Sequence, residues 1–286
     1  MSTTNGSVGS LVDLTTWQQQ LPRLKERYQA GHPYPHIVLD NFLSTDVADL
    51  ALAAFPSLND SGWINYVHVN ENKRGLNKVE LLPDYLRQLI LDFNKPEFVA
   101  FLSELTGIPN LQADETLEGG GLHQSPREGY LNVHADFTVH PHKRTWKRRV
   151  NLLLYLNKDW LVEYNGDLEL WARDMSRCEQ KIAPIFNRVV VFNTDEDSYH
   201  GLPEPIKCPP GETRKSLALY FFTIEETAPK LRTTHYRARP DDGWRKWLII
   251  ADRQLIAIYT RIKRTLGLND DFASKLLGFF NRKKKH

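Results

Sequence analysis

Cysteine is scarce: the 286 residues hold two, Cys178 and Cys208. Two thiols make neither a disulfide framework nor a cysteine-rich metal site, and a reducing cytoplasm is the expected setting. Long apolar runs are missing as well. None approaches the roughly 18–20 residues of a membrane-spanning helix. The opening MSTTNGSVGSLVDLTT lacks a basic start and an apolar core, so no secretory signal is expected there. There is no G-x-G-x-x-G turn after a strand and no G-x-x-x-x-G-K-[ST] loop, which removes both common nucleotide cradles. No internal repeat is visible. With 41% hydrophobic, 25% charged and 11% aromatic residues, the chain is not mainly disordered, collagenous or coiled-coil.

A net charge of +2 hides an uneven spread. From Lys230 onward there are 15 Lys+Arg against 5 Asp+Glu, a surplus of +10. The remainder holds 22 basic and 30 acidic residues, a balance of −8. A basic tail on an acidic body suits an anionic surface, an anionic partner, or that body itself. No nucleic-acid partner is expected.

The spacing of Leu14, Trp17, Leu21, Leu24 and Tyr28 predicts a helix over 12–28. A loop with Pro33 and Pro35 leads into a strand at 37–39. Ser44 is a plausible N-cap for a helix through Ala54. Residues 62–77 read as a strand or hairpin whose polar tip, 70–77, is a candidate substrate lid. Residues 83–106 read as helix with a break near Pro96. Then the texture changes. Short β-branched and aromatic runs at 130–137, 149–156, 167–171, 188–192 and 216–224 are separated by turn residues. That is the pattern of a jelly roll or closed barrel rather than a doubly wound sheet. From Trp244 to Leu266 a 3–4 spacing predicts a helix with an apolar stripe, expected to pack on the barrel. The aromatic and basic segment 272–285 is a candidate for peripheral membrane contact.

The sharpest chemical signal is His134-Ala135-Asp136. On a strand, residues two apart share a face, so an imidazole and a carboxylate can meet one metal. His200 follows the run VVVFNT and supplies a third ligand at a strand end. Two histidines and one carboxylate on one side of a metal are the ligand set of a non-haem Fe(II) oxygenase. A 2-oxo diacid co-substrate also needs a fixed cation for its far carboxylate. Arg214 lies 14 residues after His200, and Ser216 shares its strand face. A guanidinium suits a carboxylate in two-point contact, and Lys215 points the other way. His140 and His142, in a loop just beyond the motif, read as a solvated basic loop rather than a second metal site. Arg148 reads equally well as a pocket residue or a solvated charge.

The ordered strings HADF, RRVNLLLYLNKDW, YNGDLELW, KIAPIFNRVVVFNTDEDSYHG and TRKSLALYFFT, with PHIVLDNFLS upstream, carry a family likeness. Over residues 34–226 the chain resembles the prolyl 4-hydroxylase-like branch of the 2-oxoglutarate- and Fe(II)-dependent dioxygenases. The resemblance implies His134, Asp136 and His200 as iron ligands and Arg214 as the 2-oxoglutarate anchor. It implies Tyr155 as a second contact to the same carboxylate, and Leu168 and Tyr220 as pocket lining. His123 or Gln124 matches a further pocket position. The chain departs from some relatives at Asn165-Gly166-Asp167 and at Tyr220, which bears on pocket shape. The cofactors implied are Fe(II), 2-oxoglutarate and O2, with ascorbate helpful.

The expected fold is mainly β with flanking helices: a double-stranded β-helix (jelly roll, cupin-like) with a C-terminal helical extension. The expected division is a helical lead at 1–30, a dioxygenase domain at 31–229 with its core at 120–226, and a basic extension at 230–286. The expected reaction hydroxylates an unactivated C–H bond while 2-oxoglutarate becomes succinate. A prolyl or other peptide side chain is the first substrate class. A small molecule (amino acid, saccharide or natural-product precursor) is the second, and a non-catalytic metal-binding jelly roll is the rival of a different kind.

Overall fold

The computed structural model describes residues 10–252 and 254. Its strands are β1 (His36–Asp40), β2 (Ile64–His68), β3 (Glu71–Leu76), β4 (Gln112–Ala113), β5 (Gly121–Pro126), β6 (Tyr130–Ala135) and β7 (Trp146–Tyr155). They continue with β8 (Leu168–Trp171), β9 (Cys178–Ile182), β10 (Arg188–Asn193), β11 (His200–Leu202), β12 (Thr213–Ile224) and β13 (His235–Tyr236). The helices are α1 (Thr15–Gln19), α2 (Leu21–Gln29), α3 (Thr45–Ala53), α4 (Asp84–Phe93) and α5 (Pro96–Thr106). The strands join in one antiparallel order, β1-β10-β7-β12-β5-β3-β6-β11-β8-β9, with β2 on β3, β4 on β12 and β13 on β6. This is the jelly roll the sequence texture predicts.

Alternation explains why the central strands are apolar throughout. Along β7, Val150, Leu152 and Leu154 turn outward into a core shared with Leu24 and Tyr28 of α2, Leu89 and Phe93 of α4, and Phe98 and Leu102 of α5. The opposite face of β7 carries Asn151 and Leu153 into a cavity of about 180 Å³. β12 does the same, with Leu217, Leu219 and Phe221 outward and Arg214, Ser216 and Tyr220 inward. Strands covered on both faces read as continuous hydrophobic runs, so the polar exceptions, Asn151 and Arg214, mark the interior. The helical layer therefore serves the site indirectly, by fixing the outer faces of the strands that line it.

Several sequence expectations are met closely. Ser44 caps α3, its Oγ accepting from Val47 N. The break between α4 and α5 falls at Asn94 and Lys95, with Pro96 opening α5 and Gly107 closing it at φ 71°. Other details differ. The helix over 12–28 is two helices meeting at Gln20, with Pro22 at the start of the second, where its missing N–H is harmless. Residues 71–76 are a strand held between β2, β5 and β6, not a mobile tip. Asn70 is fully buried at the hairpin turn. β4, β5, β9 and β13 lack the apolar runs that mark β1, β7, β10 and β12. At the start of the predicted 244–266 helix, residues 245–252 are helical. Trp244 and Trp247 are 72% and 66% exposed, and of the stripe's neighbourhood Ile249 is buried. The expected packing of that stripe thus fails at both tryptophans. The rest of that helix and the 272–285 segment lie outside the described residues. Among the described residues no helix is long and apolar enough to cross a membrane.

Candidate active site

β6 and β11 pair so that His134 stands directly opposite His200, their ring centroids 4.5 Å apart. The close approach depends on Gly201, where a Cβ would sit 2.7 Å from the Leu131 carbonyl oxygen. Asp136 follows at the end of β6. His134 Nε2 lies 3.6 Å from Asp136 Oδ1, and His200 Nε2 lies 3.4 Å from Asp136 Oδ2. One ligand atom from each residue falls within 4.8 Å of the others. Both rings are oriented from behind: Nδ1 of His134 donates to the Asn132 carbonyl, and Nδ1 of His200 to the Ser198 carbonyl, each at 2.9 Å. A carbonyl only accepts, so Nδ1 bears the proton and Nε2 presents its lone pair to the cavity, the arrangement metal-binding histidines use. Burial pushes the His200 pKa down to about 4, which keeps the ring neutral. Burial opposes the charge of Asp136, but Arg148, then His200, outweigh it and hold the carboxyl well below the usual range.

Two residues hold this carboxylate: Asn151, which the sequence reading does not single out, and Arg148, which it leaves even between pocket residue and solvated charge. Asn151 Nδ2 donates to Asp136 Oδ2 at 2.8 Å, and Arg148 Nη2 reaches the same oxygen at 3.0 Å. Arg148 Nε and Nη2 both donate to Asn151 Oδ1. The Arg148 guanidinium lies 3.4 Å over the Tyr220 ring and 4.6 Å from Phe137, with the residue 2% exposed. Tyr220 is therefore in the pocket as expected, its hydroxyl donating to the Gly119 carbonyl.

Arg214, 4% exposed, lines the same cavity with Ser216 and Leu168. Its Nε donates to the Gly166 carbonyl at 2.7 Å, and its guanidinium lies 4.8 Å over the Tyr155 ring. Gly166 adopts φ +84°, and a Cβ there would press on Arg214 Cδ at 3.1 Å. Asn165-Gly166-Asp167 is thus the loop that seats the guanidinium. Gly166→Ala should move Arg214 and raise the 2-oxoglutarate concentration needed for half-maximal turnover severalfold, since the strained backbone costs about 1 kcal/mol. An unchanged requirement would mean that this loop does not set Arg214. Among the described residues the buried Tyr155 hydroxyl has no well-aligned hydrogen-bond partner, and it stands beside the Arg214 guanidinium. A buried donor of this kind is an invitation to an anionic ligand beside Arg214. Lys215 points away, Nζ toward the Thr213 carbonyl, as the alternation requires.

Of the two alternatives on β5, His123 lines the cavity and Gln124 faces outward onto Thr213. Burial, then Lys73, push the His123 pKa down to about 3, so it is a neutral ring. Glu71 and Lys73 of β3 also line the cavity and pair at 3.2 Å. Tyr236 of β13 faces His134 at 5.4 Å between centroids and completes the wall. The loop histidines do not form a second metal site. His140 is buried, its Nδ1 accepting from the backbone N–H groups of His142 and Lys143 and its Nε2 donating to Asp114. It is a brace rather than the solvated residue expected. His142 is exposed beside Glu118.

The wall at β3 is tied to the chain's later part. His68 Nε2 bonds Glu71 and its Nδ1 bonds Asp252, each at 2.8 Å. Burial works against a charged ring, but Asp252 and Glu71 raise its pKa to about 9 from an ordinary 6.5. A raised folded-state pKa contributes stability that is complete below about 6.5 and vanishes as pH rises through 9. The melting temperature should therefore fall over that window, and His68→Gln should flatten the fall. An equal slope in the variant would show that His68 is not the titrating group.

Residues 120–222 match the family described as the 2OG-Fe(II) oxygenase superfamily. Among curated proteins none matches this chain. In fold it resembles a Trichoplax adhaerens prolyl hydroxylase solved in complex with a hypoxia inducible factor oxygen degradation domain peptide fragment. That pair shares 18% identity over 74% of this chain and 95% of the other, with a TM-score of 0.52. Prolyl 4-hydroxylases from Phytophthora capsici (21% identity, 87% of this chain and 75% of that one, TM-score 0.49) and Pseudomonas putida (18%, 70% and 98%, 0.46) superpose more loosely. These likenesses are of fold, and the family match over residues 120–222 supports an oxygenase.

Proposed function

We propose that this 2-oxoglutarate- and Fe(II)-dependent dioxygenase, prolyl 4-hydroxylase-like in its sequence pattern, hydroxylates an unactivated C–H bond of a prolyl or other peptide side chain. The convergence of His134 Nε2, Asp136 and His200 Nε2 in a cavity that also holds Arg214 carries the reading. When bound, Fe(II) supplies the redox step by which O2 converts 2-oxoglutarate to succinate and CO2 and oxidises the substrate.

The chain's own residues do the rest. His134, Asp136 and His200 would hold the metal, a ligand set that leaves positions for co-substrates. Arg214 receives the far carboxylate of 2-oxoglutarate, and Tyr155 and Ser216 add hydroxyl donors. Leu168, Leu153 and Phe192 exclude water beside the co-substrate. The buried Tyr155 hydroxyl, beside Arg214 and with no well-aligned partner among the described residues, supports this division of labour, because an anion there satisfies it.

For the substrate, the Trichoplax structure described above holds a peptide, which supports the peptide class. A second reading, a small polar molecule, is favoured by the charged Glu71–Lys73 pair in the cavity wall. We also keep the catalytic domain at 31–229, a cytoplasmic setting in accord with two free cysteines, and membrane contact through 272–285 as parts of the proposal. Mass spectrometry of peptides and metabolites incubated with protein, Fe(II), 2-oxoglutarate and ascorbate tests it. A gain of one oxygen on a peptide is the expected result. A gain confined to small metabolites would replace the peptide class by the second reading.

A further inference from the structure

Arg148 and Asn151 are three apart, so a regular strand would turn them to opposite faces. They share a face because β7 bulges: Val150 pairs with Phe221 and Arg148 with Phe222, leaving Arg149 unpaired. Bulges next to active sites commonly re-aim a side chain. Here the re-aimed group is an arginine directed at Asp136.

The consequence lies in how lone pairs are used. Asp136 Oδ2 accepts from Asn151 Nδ2 at 2.8 Å and is paired with the Arg148 guanidinium, whose Nη2 lies 3.0 Å away. Oδ1 takes part in neither bond. Asn151 cannot rotate away, because its own Oδ1 is gripped by Arg148 Nε and Nη2. Arg148 in turn rests on the Tyr220 ring and against Phe137. The carboxylate is held before any metal arrives.

Resting on the reading that His134, Asp136 and His200 take a metal, we propose that Arg148 and Asn151 are positioning residues. They hold Asp136 by Oδ2 so that Oδ1 alone is the donor. One carboxylate oxygen in place of two keeps a coordination position open for co-substrates. The bulge at Arg149 is the backbone feature that makes this possible.

Co(II) binding to the full-length protein, followed by the visible absorption of the bound ion, tests the assignment without reference to activity. Asn151→Ala and Arg148→Lys should each weaken Co(II) binding about 10–100-fold, the usual loss for an outer partner of a metal ligand. At saturating Co(II) the absorption bands of both variants should shift, because the second oxygen is released toward the ion. Arg148→Lys keeps the charge but cannot hold two partners at once, so it should not recover the wild-type affinity. Melting curves of the metal-free proteins establish that each variant is folded, and Asn151→Gln provides a milder second variant should Asn151→Ala unfold. Binding equal to or tighter than wild type, with unshifted bands, in either folded variant overturns the proposal. Full recovery by Arg148→Lys overturns it too, since charge alone would then suffice. Failure of the wild type itself to bind Co(II) would instead bring down the metal-site reading, and this inference with it.

Discussion

His134→Ala, Asp136→Ala and His200→Ala should each abolish iron binding and 2-oxoglutarate turnover. Each removes one of three protein ligands, and the loss should exceed the roughly 10–100-fold typical of outer-shell partners. The folded state should survive the histidine substitutions. His134 and His200 contribute rings to a polar cavity, while the outer faces of the strands hold the core. Asp136→Ala differs, because it leaves Arg148 buried without its carboxylate and should lower the melting temperature as well. Equilibrium dialysis against Fe(II), paired with a succinate assay, reads both effects. Unchanged turnover in His200→Ala would remove it from the ligand set.

Arg214→Ala should raise the 2-oxoglutarate requirement roughly 30–1,000-fold, because a buried carboxylate loses a charged partner worth about 2–4 kcal/mol. Metal affinity should stay near the wild-type value, since Arg214 bonds the Gly166 carbonyl and faces Tyr155 rather than the metal-binding residues. Lys215→Ala should change little. The contrast tests strand register: β12 pairs Arg214 with Ser125 and Ser216 with His123, which places all four toward the cavity. Were the two variants to exchange phenotypes, the register would be one residue out.

The trio His134, Asp136 and His200 was legible because strand alternation alone places His134 and Asp136 on one face, and a strand end exposes His200. Arg214 and Ser216 follow from the same rule. Arg148 does not, since its orientation comes from a bulge that no local pattern announces. A signal existed in Asn151, a polar residue opening the run NLLLYL, whose inward position asked for a partner. β5 was missed because Gly119, Gly120, Gly121 and Pro126 frame it, and its extended form is imposed by β12 and β3 on either side. Residues 70–77 read as a candidate lid because they are polar. Polarity there reflects an interior that is itself polar, with Glu71 and Lys73 facing the cavity. Tyr236 was invisible for a further reason: it comes from a two-residue strand of the basic region, paired onto β6 opposite His134.

The most direct test of the central claim is succinate formation from 2-oxoglutarate by the purified wild-type protein under O2, with Fe(II), Co(II) or Zn(II) supplied in turn. All three ions suit a two-histidine, one-carboxylate site, but iron alone provides the redox step. The account predicts succinate with Fe(II) and none with Co(II) or Zn(II), although both should compete with Fe(II) for the site. Succinate at the metal-free level in the presence of Fe(II), or equal succinate with Zn(II), would contradict it.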